Sequence, residues 1–179
     1  MSMFRRIVLP VVVAAALAAP TVALRAADGP GLGVPISEGE AQAIDFVVMP
    51  DGRGLPAGSG DAHQGLVVYQ RECRICHGDG GQGGPNDRLT GGHGSLTSGK
   101  PVKTVGSYWP YATTVFDYVR RAMPYHQPGV LTADEVYAVT AYLLAENDVI
   151  DRDQVLDAES LPAVRMPNRE GFRWAWPPD

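Results

Sequence analysis

Two cysteines and a histidine, all able to bind metals or form covalent bonds, lie together in the segment CRICH. Cys73 and Cys76 are the two cysteines of the 179-residue chain, and His77 directly follows the second. A disulfide between neighbours this close would constrain the unfolded chain little. A thioredoxin-like dithiol would need a βαβ setting, and no strand pattern surrounds the segment. Zinc would need a second ligand pair, which the other three histidines do not supply at a suitable spacing.

Covalent haem attachment explains the same spacing. In Cys-x-x-Cys-His the thiols of Cys73 and Cys76 lie one helical turn apart, so they can reach two vinyl groups on one edge of a porphyrin. The adjoining His77 then points its imidazole at the iron. We therefore predict one covalently bound haem c, with His77 as an iron ligand.

An iron that only exchanges electrons needs a sixth ligand that stays bound in both oxidation states. Thioether sulfur does this and raises the reduction potential. Met123 is the favoured candidate, because it ends a helix predicted between Pro110 and Pro124 and precedes a proline that biases its backbone toward extended geometry. The alternatives left open are His93, His126, Met49 and Met166.

Three further residues are candidates for contacts with the haem. Pro85 lies in the glycine-rich run 78–99, which we expect to be a loop, and could turn a neighbouring carbonyl toward the Nδ1 proton of His77. Trp109 and Tyr111 carry polar hydrogens that could reach the haem propionates. Rings of this kind equally often fill a core.

Helices should position these residues. Two capping boxes predict a helix that leads into the cysteines and a later helix that ends near Asn147. The capping pairs are Asp61 with Gln64 and Thr132 with Glu135. Glycine is costly inside a helix, so Gly65 together with Tyr69 should mark the face at which the two helices cross.

The first residues of the chain resemble an export signal. Arg5 and Arg6 precede an apolar run over residues 7–24, and small residues follow at Ala26 and Ala27. Retention of this run as a membrane anchor is the alternative. Cleavage would remove three of the 15 basic side chains and none of the 20 acidic ones, which leaves a net charge of −8. This charge argues against a nucleic-acid partner.

The tail is rich in aromatic residues, which disordered tails usually lack. Its large rings are those of Phe172, Trp174 and Trp176. We therefore expect residues 148–172 to lie along the domain or along a partner.

Residues 61–147 resemble a class I cytochrome c along their whole length. The matching positions are Gly65, Tyr69, Cys73, Cys76, His77, Met123 and Tyr142. From about Gly33 to Phe172 the chain also resembles the cytochrome subunit of the sulfane dehydrogenase of the Sox sulfur-oxidising system, and cytochromes of related sulfite dehydrogenases. The segments that carry this resemblance are DGRGLPAGSG, GGPNDRLTGGHGSL, KPVKTVGSYWPYATTVFDYVRRAMP and LPAVRMPNREGF.

The resemblance implies an all-α class I cytochrome c fold with extended arms at both ends. The expected parts are a signal peptide (1–27), an extended N-terminal arm (28–60), a cytochrome c domain (61–147) and an extended C-terminal arm (148–179). No membrane span is expected in the mature protein. Many members of the family carry two haem domains, whereas this chain has a single Cys-x-x-Cys-His.

The same resemblance implies a periplasmic electron-transfer protein rather than an enzyme in its own right. The implied electron donor is a molybdenum-cofactor subunit that oxidises sulfur at the sulfane or sulfite level, and the implied acceptor is a carrier cytochrome c. Two other classes stay open. One is a free carrier that serves a terminal oxidase or a photosynthetic centre, and the other is a haem peroxidase with His126 as its acid–base residue.

Overall fold

The computed structural model describes residues 32–44, 46–173 and 175–176. The predicted signal peptide, residues 1–27, lies outside the described residues. The helices are α1 (Glu38–Ile44), α2 (Ala62–Glu72), α3 (Arg74–His77), α4 (Val105–Tyr108), α5 (Ala112–Ala122) and α6 (Ala133–Ala145), and the strands are β1 (Ser59–Gly60) and β2 (Leu156–Asp157). Short 3₁₀ helices cover Asp79–Gly81, Ser95–Thr97 and Leu161–Ala163. No helix within the described ranges is both long and apolar enough to cross a bilayer.

The described residues fall into two units, one that ends at Ala41 and one that begins at Gln42. In the first unit, Ser37 caps the start of α1: its backbone N–H donates to Glu40 Oε2 at 2.8 Å, and its Oγ accepts from the Glu40 N–H at 3.3 Å. The N-terminal arm, predicted to be extended over 28–60, therefore contains a helix. The Ser-x-x-Glu pattern is a recognised helix start that the sequence reading overlooked.

Both predicted capping boxes are confirmed in the second unit. Asp61 Oδ1 accepts from the Gln64 N–H at 2.9 Å, and the Asp61 N–H donates to Gln64 Oε1 at 3.2 Å. Thr132 and Glu135 make the equivalent pair at 3.3 and 2.9 Å. Each box satisfies two backbone donors that a helix start would otherwise leave free, so α2 and α6 start at defined residues.

Gly65 lies where α2 crosses α6, as predicted. A Cβ at this position would overlap the carbonyl oxygen of Ala138 and lie 2.7 Å from Tyr142 Cβ. The rings of Tyr69 and Tyr142 meet in the same crossing, with centroids 4.9 Å apart. The missing side chain of Gly65 thus lets two backbones approach closely, and the two tyrosines pack beside the contact.

The C-terminal arm lies along the domain, which confirms that part of the prediction. Leu156, Leu161, Val164 and Met166 are buried in the core, and β2 pairs with β1 in antiparallel register. The expected all-α class leaves out this small sheet. Strands of two residues are too short to show an alternating pattern, so they could not be predicted from the sequence.

A buried carboxylate holds the segment around Val48, which is the part of the N-terminal arm in the second unit, against α5. Asp117 Oδ1 accepts from the Val48 N–H at 2.9 Å, and the side chain of Val48 is buried in the core. Arg121, one turn further along α5, pairs with the same carboxylate. The charge on this buried side chain is thereby neutralised while it orders the arm.

Thr140 in α6 provides a test of this core. It is fully buried, and its hydroxyl has no hydrogen-bond partner among the described residues. We expect Thr140→Val to raise the free energy of unfolding by about 1 kcal/mol, because a buried hydroxyl without a partner destabilises the folded state. The matched control is Thr113→Val, which removes a hydroxyl that donates to the Pro50 carbonyl at 3.3 Å. Urea titrations in which Thr140→Val proved the more damaging of the two would contradict this expectation.

Candidate haem-binding site

A cavity of about 340 Å³ opens beside the cysteine segment. Its wall includes five of the predicted site residues, namely Cys73, Cys76, His77, Trp109 and Met123. Most of the remaining wall is apolar, with side chains from α5 and α6 and from the loop before α4. Its volume lies within the range of ordinary ligand and cofactor pockets. The fold therefore brings residues 50 positions apart in the chain to one cavity.

The two cysteines are placed by the junction of α2 and α3. The Cys73 N–H donates to the Tyr69 carbonyl at 2.9 Å and thus ends α2, while the His77 N–H donates to the Cys73 carbonyl at 3.0 Å within α3. Cys73 and Cys76 consequently sit on one turn and both line the cavity.

Burial raises the pKa of the Cys73 thiol to about 11. Redox-active cysteines instead have a lowered pKa, because the thiolate is the reactive form. This difference disfavours the dithiol interpretation. A zinc site is also unsupported, since no group of three or more His, Cys, Asp or Glu side chains in the described chain could hold a metal ion.

A backbone carbonyl fixes the ring of His77. Nδ1 lies 2.7 Å from the carbonyl oxygen of Asp87. Because a carbonyl can only accept, Nδ1 must carry the proton, which in a neutral imidazole leaves the lone pair of Nε2 free. That nitrogen is then available to bind a metal, and the hydrogen bond to Nδ1 raises its basicity.

The position of Pro85 differs from its prediction. The accepting carbonyl belongs to Asp87, two residues beyond the proline, and Pro85 does not line the cavity in the described chain. The loop is held instead by the Asn86 N–H, which donates to the Cys76 carbonyl at 2.9 Å. This contact ties the loop directly to the cysteine turn, so the Asp87 carbonyl follows the position of α3.

Met123 lies on the cavity wall at the end of α5. Its N–H donates to the Val119 carbonyl at 3.0 Å, and its backbone is extended, with φ −123° and ψ 148°, as predicted for a residue before proline. Met166 is fully buried in the core, and within the described residues neither it nor Met49 lines the cavity. Of the histidines considered as ligands, His126 lines the wall and His93 does not.

The two aromatic candidates have different surroundings. Trp109 lines the cavity and packs edge-on against Tyr118, with ring centroids 5.6 Å apart. Tyr111 is absent from the cavity wall of the described chain, and its ring faces the guanidinium of Arg169 at 4.4 Å. A role for Tyr111 at a haem propionate therefore has no support in this geometry.

Two basic side chains on the wall were missed by the sequence reading. Arg88 and Lys103 both line the cavity, and both residues are exposed. Cations at a cavity edge are suited to carboxylates such as haem propionates. Each is an isolated basic residue in a loop, so no spacing or periodicity could have assigned it to the site.

Comparison with known proteins agrees with this geometry. Residues 60–143 match the family described as cytochrome C oxidase, cbb3-type, subunit III. A chain in the crystal structure of the sulfane dehydrogenase SoxCD from Paracoccus pantotrophus matches with 46% identity and a TM-score of 0.75, over 80% of this chain and 71% of that one. This chain belongs to the cytochrome c family represented in that dehydrogenase. A search of curated proteins gave no significant match.

The cytochrome c family implies haem c, and the residues of this cavity fit that group. Two thiols on one turn suit covalent attachment, and an imidazole with a free Nε2 and a thioether lining the same cavity suit ligation of the iron. The apolar remainder of the wall suits the porphyrin. A cytochrome c domain is an electron-transfer module, and here it is similar to a component of SoxCD.

Proposed function

We propose that this chain is a periplasmic monohaem c-type cytochrome that transfers single electrons. Its electron donor is a molybdenum-containing subunit that oxidises sulfur at the sulfane or sulfite level, and its acceptor is a carrier cytochrome c. The observation that carries the proposal is the shared cavity of Cys73, Cys76, His77 and Met123. The 46% identity to a chain of SoxCD supports the choice of donor.

Within the class I cytochrome c fold that we propose, haem c would supply a one-electron couple between ferric and ferrous iron. The thiols of Cys73 and Cys76 would hold the group covalently. His77 and Met123 would ligate its iron, and the hydrogen bond to Asp87 keeps the imidazole in one orientation. Because the backbones of His77 and Met123 are both held by helical hydrogen bonds, reorganisation on electron transfer would stay small.

Apolar side chains around the cavity would keep water away from the bound haem. Val115 and Val119 of α5, with Val139 and Leu143 of α6, are buried and line the cavity. A dry, low-dielectric wall disfavours the more highly charged oxidation state and so contributes to the potential. Ligation by both His77 and Met123 would leave the iron no position for a peroxide, which favours electron transfer over the peroxidase alternative.

Gentle purification of the affinity-tagged protein from periplasm tests the donor. We expect iron and molybdenum in comparable amounts, and we expect the haem of the purified complex to be reduced when sulfite or a sulfane-sulfur compound is added. The Cys73→Ser/Cys76→Ser variant is the control: it should lose iron.

Iron without molybdenum would contradict the subunit proposal. It would instead favour a free carrier to a terminal oxidase, which is the candidate that the match to a cbb3-type oxidase subunit supports. The fractionation also tests the location, because a mature N-terminus close to residue 28 in the periplasmic fraction is expected. Recovery of the uncleaved chain with the membranes would indicate an anchor.

A further inference from the structure

Asn147, just beyond the end of α6, makes more contacts than a helix end requires. Its side chain is fully buried, and Nδ2 donates to the Leu143 carbonyl at 2.8 Å, which satisfies the last turn of the helix. Nδ2 also donates to the Leu89 carbonyl at 3.1 Å, while Oδ1 accepts from the Gly91 N–H at 3.0 Å. Two of the three hydrogen bonds therefore go to a loop far away in the sequence.

That loop, residues 87–91, carries the hydrogen-bond acceptor for His77. The Asp87 carbonyl accepts from Nδ1 of His77 at 2.7 Å, and both Asp87 and Leu89 line the cavity. Asp87 itself is exposed. Its carbonyl is therefore held from one side by the Asn86 contact with Cys76 and from the other by the chain around Leu89.

The backbone around Leu89 is fixed from two directions. The N–H groups of Leu89 and Thr90 donate to the Gly81 carbonyl at 2.7 and 3.1 Å, which ties the loop to the segment after the cysteines. The Leu89 carbonyl accepts from the Val105 N–H at 3.1 Å and from the Asn147 amide. Asn147 is thus the side chain that connects this loop to the last helix.

The Asn147 amide packs directly against the backbone of Gly106, where a larger residue would not fit. A Cβ at Gly106 would overlap Oδ1 of Asn147 and lie 2.6 Å from its Cβ and Cγ. The φ angle of Gly106 is not in the left-handed region, so the backbone conformation does not require glycine here. Glycine is required here because the Asn147 side chain occupies the space that a Cβ would need.

We propose that Asn147 is a positioning residue for the imidazole of His77, an inference that rests on the proposed haem ligation. By holding residues 89 and 91, it keeps the Asp87 carbonyl in line with the Nδ1 proton. A well-aligned hydrogen bond makes the imidazole a stronger donor and stabilises ferric iron. Asn147 therefore helps to keep the reduction potential lower than His–Met ligation alone would set it.

Two substitutions disturb this contact in different ways. Asn147→Asp keeps an oxygen for the Gly91 N–H but replaces both Nδ2 donor contacts with oxygen facing oxygen. Gly106→Ala keeps residue 147 as asparagine but pushes its side chain away from the loop. For both variants we expect a higher reduction potential, and exchange of the His77 Nδ1 proton with deuterium roughly tenfold faster in the reduced protein, as for loss of one hydrogen bond.

Thr140→Val is the matched control, because it alters a buried polar residue of α6 whose hydroxyl makes no hydrogen bond to the loop or to any other described residue. It should leave both the potential and the exchange rate unchanged. If either Asn147→Asp or Gly106→Ala fails to fold, the other is measured, and Asn147→Ser, which shortens the side chain, serves as a third variant. A fall in the urea midpoint with unchanged potential and exchange rate would overturn the proposal and leave Asn147 a structural residue.

A lower potential with a protected Nδ1 proton would also overturn it, since water entry rather than the His77 hydrogen bond would then be responsible. Failure of the proposed ligation looks different. In that case the protein without substitutions would itself show no haem-shifted His77 resonance. If only the Asn147 inference fails, that resonance is present, and the variants have the same potential and exchange rate as the protein without substitutions.

Discussion

Replacement of Met123 by leucine is expected to lower the reduction potential of the bound haem by on the order of 0.1 V or more, since axial ligands set haem potentials over a range of about 0.8 V. The thioether is a soft ligand that favours ferrous iron, and leucine supplies no lone pair. Leucine has nearly the volume of methionine, so the cavity wall beside Val119 should stay filled. Potentiometric titration of the purified protein measures the change.

Met166→Leu is the matched control for this substitution. Met166 is fully buried in the core and is not part of the cavity wall in the described chain. The same chemical change should therefore leave the potential unaltered and cost little stability. If Met123→Leu kept the potential and the spectrum of methionine ligation while Met166→Leu lost them, the axial assignment would be wrong. A new nitrogen-ligated spectrum in Met123→Leu would identify His126 as a substitute ligand.

The second large effect is expected at Gly65. Alanine is normally the better helix residue by about 1 kcal/mol. At this position, however, its Cβ would overlap the Ala138 carbonyl oxygen, which is rigid backbone of α6. We expect Gly65→Ala to lower the free energy of unfolding by about 3 kcal/mol, because overpacking forces the two helices apart. Urea unfolding of the haem-loaded protein gives this value.

Gly99→Ala is the control for Gly65→Ala. A Cβ at Gly99 would have nothing within 4 Å, and its φ angle is not in the left-handed region. Its free energy of unfolding should change by less than about 0.5 kcal/mol. If the two alanine variants were equally stable, the close crossing of α2 and α6 would not be an important source of stability.

The parts of the fold that could be predicted are those with local chemical signatures. The capping boxes at Asp61 and Thr132 start α2 and α6, because their donors and acceptors lie three residues apart in the sequence. Pro124 predicted the end of α5, and the position of Met123 at that end follows from it. These features depend on neighbours along the chain, so the sequence alone carries the information.

The parts that were missed depend on contacts distant in sequence. Asn147 reads as a helix stop, and nothing in its neighbourhood indicates that its amide reaches Leu89 and Gly91. The short helix α4 has a capping box of Thr104 with Ser107, and serine in place of glutamate is a weaker signature. The acceptor for His77 was placed beside Pro85 because proline marks turns, but the loop continues two residues further.

The arms show the same limit. Their prolines and glycines predicted irregular backbone, and most of that backbone is irregular. The composition could not show that Val48 would bond to Asp117 or that Met166 would enter the core. Pairing of this kind requires the helices first, since the apolar surface that the arms cover exists only after α5 and α6 have packed.

The mass of the denatured mature chain tests the central claim most directly. The protein should be produced in a host that attaches haem c and measured beside the Cys73→Ser/Cys76→Ser variant. We expect the chain with its natural cysteines to be heavier than its polypeptide by one haem, and the variant to have the mass of the polypeptide alone. If the chain with its natural cysteines had the bare polypeptide mass and two thiols open to alkylation, covalent haem attachment would be contradicted. The electron-transfer function proposed for this protein would then be contradicted as well.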